Sequence, residues 1–352
     1  MREISVSAAA ADESVSGIGT EILNRARTRI EPMYRSIVDG LPDTLRHVGG
    51  YHIGWWEADG SRRADMGKAV RPALVLASSA AMGNGSGDEA TDVAVAAAVA
   101  VELVHDFTLL HDDVMDGDSI RRHRPTAGMQ FGIGPAILTG DIFLTAAIEL
   151  LLAQDVNAAP ALVRALYALC EGQSSDLAFE QLPSVDMDSC LRMAENKTGA
   201  LFGAACELGA LAAGAAPDRV RSMNRFGRQL GVAFQLVDDL LGIWGDPETT
   251  GKPVYSDLVR RKKSLPVVAA LSSDTRAGRE LMQLYMGSEE LESDQLAHIA
   301  LLIEQAGGRR WAETQWVQAC EAAKRLLYSA GPEPSAAADL NALITVITRR
   351  DH

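Results

Sequence analysis

The sequence predicts an all-α protein, and three observations support that prediction. Many stretches are rich in alanine while aromatic residues make up only 5% of the chain, a usage that suits tightly packed helices better than sheets. Apolar residues recur three and four positions apart, most clearly from Val220 to Leu241, which puts one apolar stripe along a helix. No long strand-like alternation and no internal repeat is visible.

Composition and charge exclude several classes of protein. Of the 352 residues, 47% are hydrophobic and 23% are charged, which excludes global disorder. The formal net charge of −14 argues against a nucleic-acid binder and against docking on anionic lipid. An anionic substrate must therefore be met by a local basic cluster or through metal ions.

The sequence also indicates a cytoplasmic protein without membrane insertion. Residues 1–20 lack a signal peptide, because Asp12 and Glu13 interrupt the alanine run. The most apolar later stretch, Gly199–Ala216, contains Glu207 and is too short for a membrane span. The four widely spaced cysteines predict neither zinc nor a disulfide framework and fit a reducing cytosol: Cys170, Cys190, Cys206 and Cys320.

The order of elements follows from glycines, prolines and apolar spacing. Residues 1–20 are small and polar and are expected to be disordered, and no linker divides residues 21–352, which predicts a single helical domain. Gly49–Met66 and Gly245–Asp257 are predicted loops because glycine, proline and aspartate interrupt them. Helices are predicted over Gly17–Asp39, Ala69–Met82, Glu89–Met115, Pro135–Ala153, Ala158–Phe179, Met187–Ala213, Pro217–Ile243, Ser264–Leu271, Thr275–Met286, Ser293–Ala306, Arg310–Ser329 and Ser335–Thr348.

An acidic cluster ends the most apolar of these helices. Asp112, Asp113 and Asp116 form a DDxxD pattern on one side of a Val/Leu/Ala helix. Such carboxylates repel unless cations lie between them, and Mg²⁺ takes oxygen ligands while leaving sites for phosphate. A basic run, Arg121–Thr126, follows and suits a Mg²⁺-diphosphate group. The alternatives are a solvated helix end and an internal salt-bridge network.

A second acidic pair lies at the end of the long periodic helix. Asp238 and Asp239 close the sequence FQLVDD. Anions at a helix C-terminus oppose the macrodipole, so their placement there indicates nearby cations.

These segments, in this order, resemble the trans-isoprenyl diphosphate synthase (polyprenyl synthetase) family, and most of all its geranylgeranyl diphosphate synthases. The resemblance covers roughly Gly67 to Pro266 and rests on GKAVRP, HDDVMD with RRHRPT, KTG, FQLVDD, and Gly251-Lys252 with Asp257-Leu258. It implies an isoprenoid-synthase helical bundle with a central substrate cavity and usually a homodimer. The family joins isopentenyl diphosphate to an allylic diphosphate.

The resemblance also implies a role for individual residues. Asp112, Asp113 and Asp116 would bind two Mg²⁺ and Asp238 a third, with Lys197 and Asp239 among the catalytic residues. The allylic diphosphate would contact Arg121, Lys197, Lys252, Thr198 and Gln235, and isopentenyl diphosphate would contact Lys68, Arg71, His105 and Arg122.

Two departures from the family pattern stand out. The fifth position of the second motif is Gly242 rather than aspartate, so that Asp239 and Asp246 would have to suffice. His123 and Gly128 replace a more usual glycine and aromatic.

The residues before the first motif predict product length. Phe107 is bulky, whereas Thr108 and Val104 are small, which resembles the family's C20-forming type, with C15 as the alternative. If Phe107 does not form the floor, another helix near Phe143 would set the limit. Two rival functions stay open: a terpene cyclase of the same fold and a non-catalytic subunit of a heteromeric synthase. The residues expected to bind isopentenyl diphosphate argue against the cyclase, and the intact first motif argues against the subunit.

Overall fold

The computed structural model describes residues 2–63, 67–83, 91–246, 254–285, 287 and 291–348, with side chains from residue 17 onward. Over these residues the chain is helical, apart from one two-stranded hairpin and an isolated bridge between Trp56 and Arg62. The predicted all-α class is therefore confirmed.

The elements have the following bounds: α1 (Arg2–Asp39), α2 (Asp43–Ile53), α3 (Val70–Met82), α4 (Asp92–Met115), β1 (Ile120–Arg121), β2 (Arg124–Pro125), α5 (Ala127–Phe131), α6 (Ile133–Gln154), α7 (Ala159–Gln181), α8 (Met187–Ala194), a π-helical segment (Glu195–Gly199), α9 (Ala200–Ala212), α10 (Pro217–Trp244), α11 (Ser256–Val259), α12 (Leu265–Leu271), α13 (Arg276–Tyr285), α14 (Ser293–Gln305), α15 (Gly308–Ser329) and α16 (Pro334–Thr348). Helix α1 begins at Arg2 and therefore covers most of the N-terminal stretch for which disorder was expected. The disorder of residues 1–20 and the single domain over residues 21–352 both stay predictions.

The chain folds into two compact units. The first comprises Met1–Val163, Ala204–Asn224 and Tyr328–Val346. Its central helix is α4, which packs against α3 and α6. Both α4 and α6 are long and apolar enough to cross a membrane, but 78% of the apolar window of α4 is buried inside the protein, against 33% for α6. The apolarity of α4 thus belongs to the core, whereas α6 leaves apolar surface exposed.

The second unit comprises Arg164–Gly203, Arg225–Leu327 and Ile347–His352. Two apolar clusters hold the C-terminal part of α10 in place. Leu236 and Leu240 pack with Leu265, and Ile243 packs with Leu258. This packing fixes the orientation of the helix end that carries Asp238 and Asp239.

Helix α2 departs from the sequence-based prediction, which assigned its last residues to a loop. Its two glycines lie against aromatic rings: a Cβ on Gly49 would be 2.7 Å from the Phe143 ring, and one on Gly50 would be 1.9 Å from the Trp56 ring. The glycines are therefore needed for close packing of a helix. Composition alone does not distinguish a glycine needed for close helix packing from a glycine that marks a loop.

Candidate functional site

The first aspartate motif closes α4 in the first unit. Asp113 is 3% exposed, and its Oδ1 accepts a hydrogen bond from Nε of Arg121 at 2.6 Å. Nη2 of Arg121 forms an ion pair with the same oxygen, also at 2.6 Å. Oδ2 of Asp113 is buried and has no hydrogen-bond partner among the described residues. Asp112 and Asp116 are half-buried. A buried carboxylate oxygen without a partner is costly, so this end of α4 is suited to a cation.

A tight hairpin carries the basic run. Arg121 pairs with Arg124, and the two residues between them, Arg122 and His123, have φ of 50° and 59°. Both central residues of such a turn are left-handed, which favours glycine. His123 thus occupies a strained backbone position, and strain of this kind is concentrated at functional sites.

Arg124 ties this hairpin to α2 and to the segment that follows it. Its guanidinium lies 3.9 Å above the Tyr51 ring. It donates to the Trp56 carbonyl at 3.1 Å and lies 3.2 Å from a Glu57 carboxylate oxygen. The position of Arg121 beside Asp113 is therefore fixed from outside the hairpin.

The structure brings together most of the predicted isopentenyl-binding residues. A Cβ on Gly67 would lie 2.8 Å from the Arg122 guanidinium, so the GKAVRP segment contacts the hairpin. Arg71 lies in the first turn of α3, and Lys68 is exposed. Burial, followed by the charges of Arg71 and Arg122, holds the pKa of His105 well below its ordinary value. His105 is therefore neutral at pH 7, so that one ring nitrogen can donate a hydrogen bond and the other can accept one.

A buried polar cluster behind His105 was missed by the sequence analysis. The Tyr34 hydroxyl donates to Asp106 Oδ2, and His52 Nε2 lies 3.3 Å from Asp106 Oδ1. Burial, followed by the nearby charge of Asp106, raises the pKa of Glu102 to about 8. The sequence did contain one signal for this cluster, since Glu102 and Asp106 are an i, i+4 pair of acids inside an apolar helix. Tyr34, which donates to Asp106 from α1, lies too far away along the chain to be inferred.

In the second unit, the KTG sequence lies in the π-helical segment. A Cβ on Gly172 of α7 would be 2.3 Å from the Lys197 backbone nitrogen, so α7 approaches this segment closely. Lys197 Nζ donates to Asp176 Oδ2 at 2.6 Å, and Lys262 Nζ lies 3.9 Å from the same oxygen. Burial raises the pKa of Asp176, but Lys262 and Lys197 outweigh it, so the pKa is lowered. The sequence analysis had not identified Asp176 or Lys262.

Predicted residues of the second motif form a hydrogen-bond chain. Thr198 Oγ1 donates to Gln235 Oε1 at 2.6 Å, and Gln235 Nε2 donates to Asp239 Oδ1 at 2.7 Å. Asp239 Oδ2 accepts from the backbone N–H of Leu265 at 2.8 Å. Burial is the main cause that raises the pKa of Asp239 to about 7. Because both oxygens of Asp239 are engaged by protein groups, its geometry is that of a positioning residue, and its catalytic role stays a prediction.

The remaining predicted residues are placed as follows. Asp238 is half-buried, and Asp246 is exposed beyond the end of α10. Lys252 lies outside the described residues. The Phe107 ring contacts the His111 ring at 4.7 Å and faces Gly140 of α6, where a Cβ would be 3.4 Å away.

The other residues named for product length lie in the core. Val104 and Phe143 are fully buried. Thr108 is also buried, and its hydroxyl donates to the His105 carbonyl at 2.7 Å.

The carboxylate oxygens of the two aspartate motifs are ligands that suit a hard divalent cation such as Mg²⁺. Among the described residues, no three His, Cys, Asp or Glu side chains lie close enough together to hold an ion by themselves. Mg²⁺ sites are commonly completed by substrate phosphate oxygens and water. The oxygen-only donors and the partnerless Asp113 Oδ2 agree with such a site.

Comparisons with known proteins agree with this chemistry. Residues 62–303 match the family model described as polyprenyl synthetase. A geranylgeranyl diphosphate synthase of Mycobacterium tuberculosis is 44% identical over 340 residues, 95% of each chain. A (2E,6E)-farnesyl diphosphate synthase of the same organism is 46% identical over 302 residues, 84% of this chain and 83% of its own.

A solved structure supports the fold. The polyprenyl synthetase from Streptomyces coelicolor A3(2) has a TM-score of 0.88 and 40% identity, over 94% of this chain and 99% of its own. Polyprenyl synthetases use divalent metal ions with diphosphate substrates. The chain therefore belongs to the polyprenyl synthetase family, whose members are prenyltransferases of isoprenoid biosynthesis.

Proposed function

We propose that the protein is a Mg²⁺-dependent synthase that condenses isopentenyl diphosphate with allylic diphosphates to geranylgeranyl diphosphate (C20). The observation that carries the proposal is the partnerless, buried oxygen of Asp113 beside the paired Arg121. The Asp113 carboxylate supplies the negative charge that a bound metal ion needs, and the Arg121 guanidinium supplies the positive charge that its diphosphate needs.

Each group has a role in the reaction. Breaking the allylic C–O bond leaves the electron pair on diphosphate; the isopentenyl π pair then forms the new C–C bond, and a lost proton restores a double bond. Three Mg²⁺, held by Asp112, Asp113, Asp116 and Asp238, would supply electrostatic stabilisation of the departing diphosphate. Arg121 and Lys197, with Lys252, hold the allylic diphosphate, and Lys68, Arg71, His105 and Arg122 hold isopentenyl diphosphate.

Farnesyl diphosphate (C15) is the second candidate product, because the farnesyl synthase relative is at least as similar as the geranylgeranyl one. To distinguish them, purified protein is incubated with isopentenyl diphosphate and each allylic primer in turn, and the products are sized. C20 from all primers supports the proposal. Accumulation of C15, or a cyclised hydrocarbon instead of a longer diphosphate, would contradict it.

The protein is further proposed to act in the cytoplasm as a homodimer. Helix α6 exposes apolar side chains, among them Ile133 at 61%, Leu138 at 56% and Leu152 at 51%. An apolar helix with this much exposed surface is typical of a subunit interface. All four cysteines are free, which agrees with a reducing compartment.

A further inference from the structure

Asp106 is a charged residue inside the apolar helix α4. It is 4% exposed. Burial raises its pKa, but the His52 ring, the charge of Arg122 and the Tyr34 hydroxyl together outweigh burial and lower the pKa. Asp106 is therefore ionised at pH 7. A buried carboxylate in this state is unfavourable unless neighbouring groups compensate its charge, so those neighbours indicate what the residue does.

Two other helices hold the Asp106 carboxylate in place. Tyr34 of α1 is fully buried, and its hydroxyl donates to Oδ2 of Asp106. His52 lies in the last turn of α2, with its Nε2 3.3 Å from Oδ1 of Asp106 and its side chain 4% exposed. Both carboxylate oxygens thus lie against buried side chains, so the position of the negative charge is fixed.

The basic hairpin is attached to the same end of α2. The hydroxyl of Tyr51, which precedes His52, donates to the Pro125 carbonyl at 2.8 Å. The Arg124 guanidinium lies 3.9 Å above the Tyr51 ring. His52 itself lines a cavity together with Arg122. The contact that α4 makes with α2 through His52 therefore bears on the position of the hairpin.

The charge of Asp106 also acts on Arg122 directly. Arg122 is exposed, and a Cβ on Gly67 would be 2.8 Å from its Nη2. Its positive charge also reaches the other buried groups of this cluster, Tyr34, Glu102 and His105. Burial, and then Asp106, raises the pKa of Glu102 to about 8. At neutral pH the negative charge near Arg122 is therefore that of Asp106.

We propose that Asp106 is a positioning residue, which holds the Arg122 guanidinium in place for isopentenyl diphosphate. It acts by its negative charge and, through His52, by fixing the helix to which the hairpin is attached. Arg121 has its own ion pair with Asp113 at 2.6 Å, so the binding of the allylic substrate should depend on Asp106 much less. This inference rests on the proposed function, because it assigns a further residue to the same site.

Steady-state kinetics of Asp106→Asn, with each substrate varied in turn, tests the proposal. Members of one charge network are coupled by about 2- to 150-fold, and within that range we expect the KM for isopentenyl diphosphate to rise about 10-fold. The KM for the allylic substrate and kcat should change much less. The matched control is Glu207→Gln, a half-buried carboxylate of the first unit that accepts a hydrogen bond from Asn224 at 2.8 Å; its constants should stay at wild-type values.

A double variant shows whether Asp106 acts through Arg122. Adding Asp106→Asn to Arg122→Gln should raise the KM for isopentenyl diphosphate little beyond that of Arg122→Gln alone, because the group that Asp106 positions is already gone. Multiplied effects in the double variant, a wild-type KM in Asp106→Asn, or an equal rise in the KM of both substrates would overturn the proposal. Should Asp106→Asn fail to fold by circular dichroism, Tyr34→Phe, which removes one hydrogen-bond donor and should give a smaller selective rise, decides by the same criteria.

The same kinetics separate this inference from the proposed function. Elongation by wild type together with an unchanged KM for isopentenyl diphosphate in Asp106→Asn would overturn the role of Asp106 alone. Absence of any elongation product from wild type would overturn the proposed function, and the role of Asp106 with it.

Discussion

Two residues of the first unit, Lys68 and Arg71, are proposed to bind isopentenyl diphosphate. Lys68 is exposed, and Arg71 acts electrostatically on His105 from the first turn of α3. Lys68→Ala and Arg71→Ala should each raise the KM for isopentenyl diphosphate far more than the KM for the allylic substrate. Steady-state kinetics with each substrate varied in turn measures this, with the surface variant Arg46→Ala as control. Equal effects on both constants would mean that the segment is structural or that the two sites are misassigned.

Glu102 gives the fold a pH dependence. Its pKa rises from an ordinary 4.5 to about 8 on folding, through burial and then through Asp106. Between these values the folded state binds more protons than the unfolded state, so its stabilising contribution is present below pH 4.5 and is lost as the pH rises towards 8.

Urea unfolding at pH 5 and pH 8 checks this expectation. Wild type should be less stable at pH 8 than at pH 5, and Glu102→Gln should show a flatter dependence because its amide does not titrate. Some dependence should persist in this variant, since the pKa of Asp239 is also raised, to about 7. An identical slope in both proteins would contradict the assignment.

Among the structural elements, the contact between α7 and the π-helical segment depends on one glycine. Gly172→Ala would place a methyl group 2.3 Å from the Lys197 backbone nitrogen, and overpacking of this kind costs about 1–3 kcal/mol. We expect a loss of that size in urea unfolding, together with lower turnover, because Lys197 would shift. The control is Gly134→Ala in α6, where a Cβ meets nothing within 4 Å. Equal stability of the two variants would contradict the close approach.

The packing of α4 against α6 is the element proposed to limit product length. Phe107→Ala should lengthen the product, because removing the ring opens space beside Gly140, and Thr108→Phe should shorten it. Chromatographic sizing of products from one primer measures both changes, and Asp92→Ala at the far end of α4 serves as control. If both variants make the wild-type chain length, Phe107 does not line the floor of the product cavity.

Helix boundaries could be predicted from the sequence where the spacing of apolar residues determines them. They could not be predicted where contacts with distant parts of the chain determine them. The predicted helix over Pro217–Ile243 matches α10 to within one residue at its end. The single helix predicted over Met187–Ala213 is instead interrupted at Glu195–Gly199 by a π-helical segment, which is recognised only by its contact with α7. The β1–β2 hairpin was also not predicted, since its two-residue strands carry no periodic signal.

At the scale of the whole molecule, six short motifs in the family's order were enough to predict the family and its reaction. They did not predict the residues that hold the motif side chains in position. Asp176 and Asp106 bind partners far away in the sequence, at Lys197 and Tyr34. Such pairs are created by the fold, and no local pattern in one sequence predicts them. The same limit applied to Gly242, whose neighbour Asp257 emerged only from the packing of α11 on α10.

Two aspartate-ended helices, α4 and α10, are proposed to serve one metal-dependent elongation reaction. The most direct test is the turnover of Asp112→Ala and Asp238→Ala with isopentenyl diphosphate and an allylic primer at saturating Mg²⁺, with Asp92→Ala of α4 as control. Removing one electrostatic group from such a site costs about 10²–10³-fold in turnover. We predict losses of that size in both variants with unchanged far-ultraviolet circular dichroism and near-wild-type turnover in the control, whereas wild-type turnover in either variant would contradict the central claim.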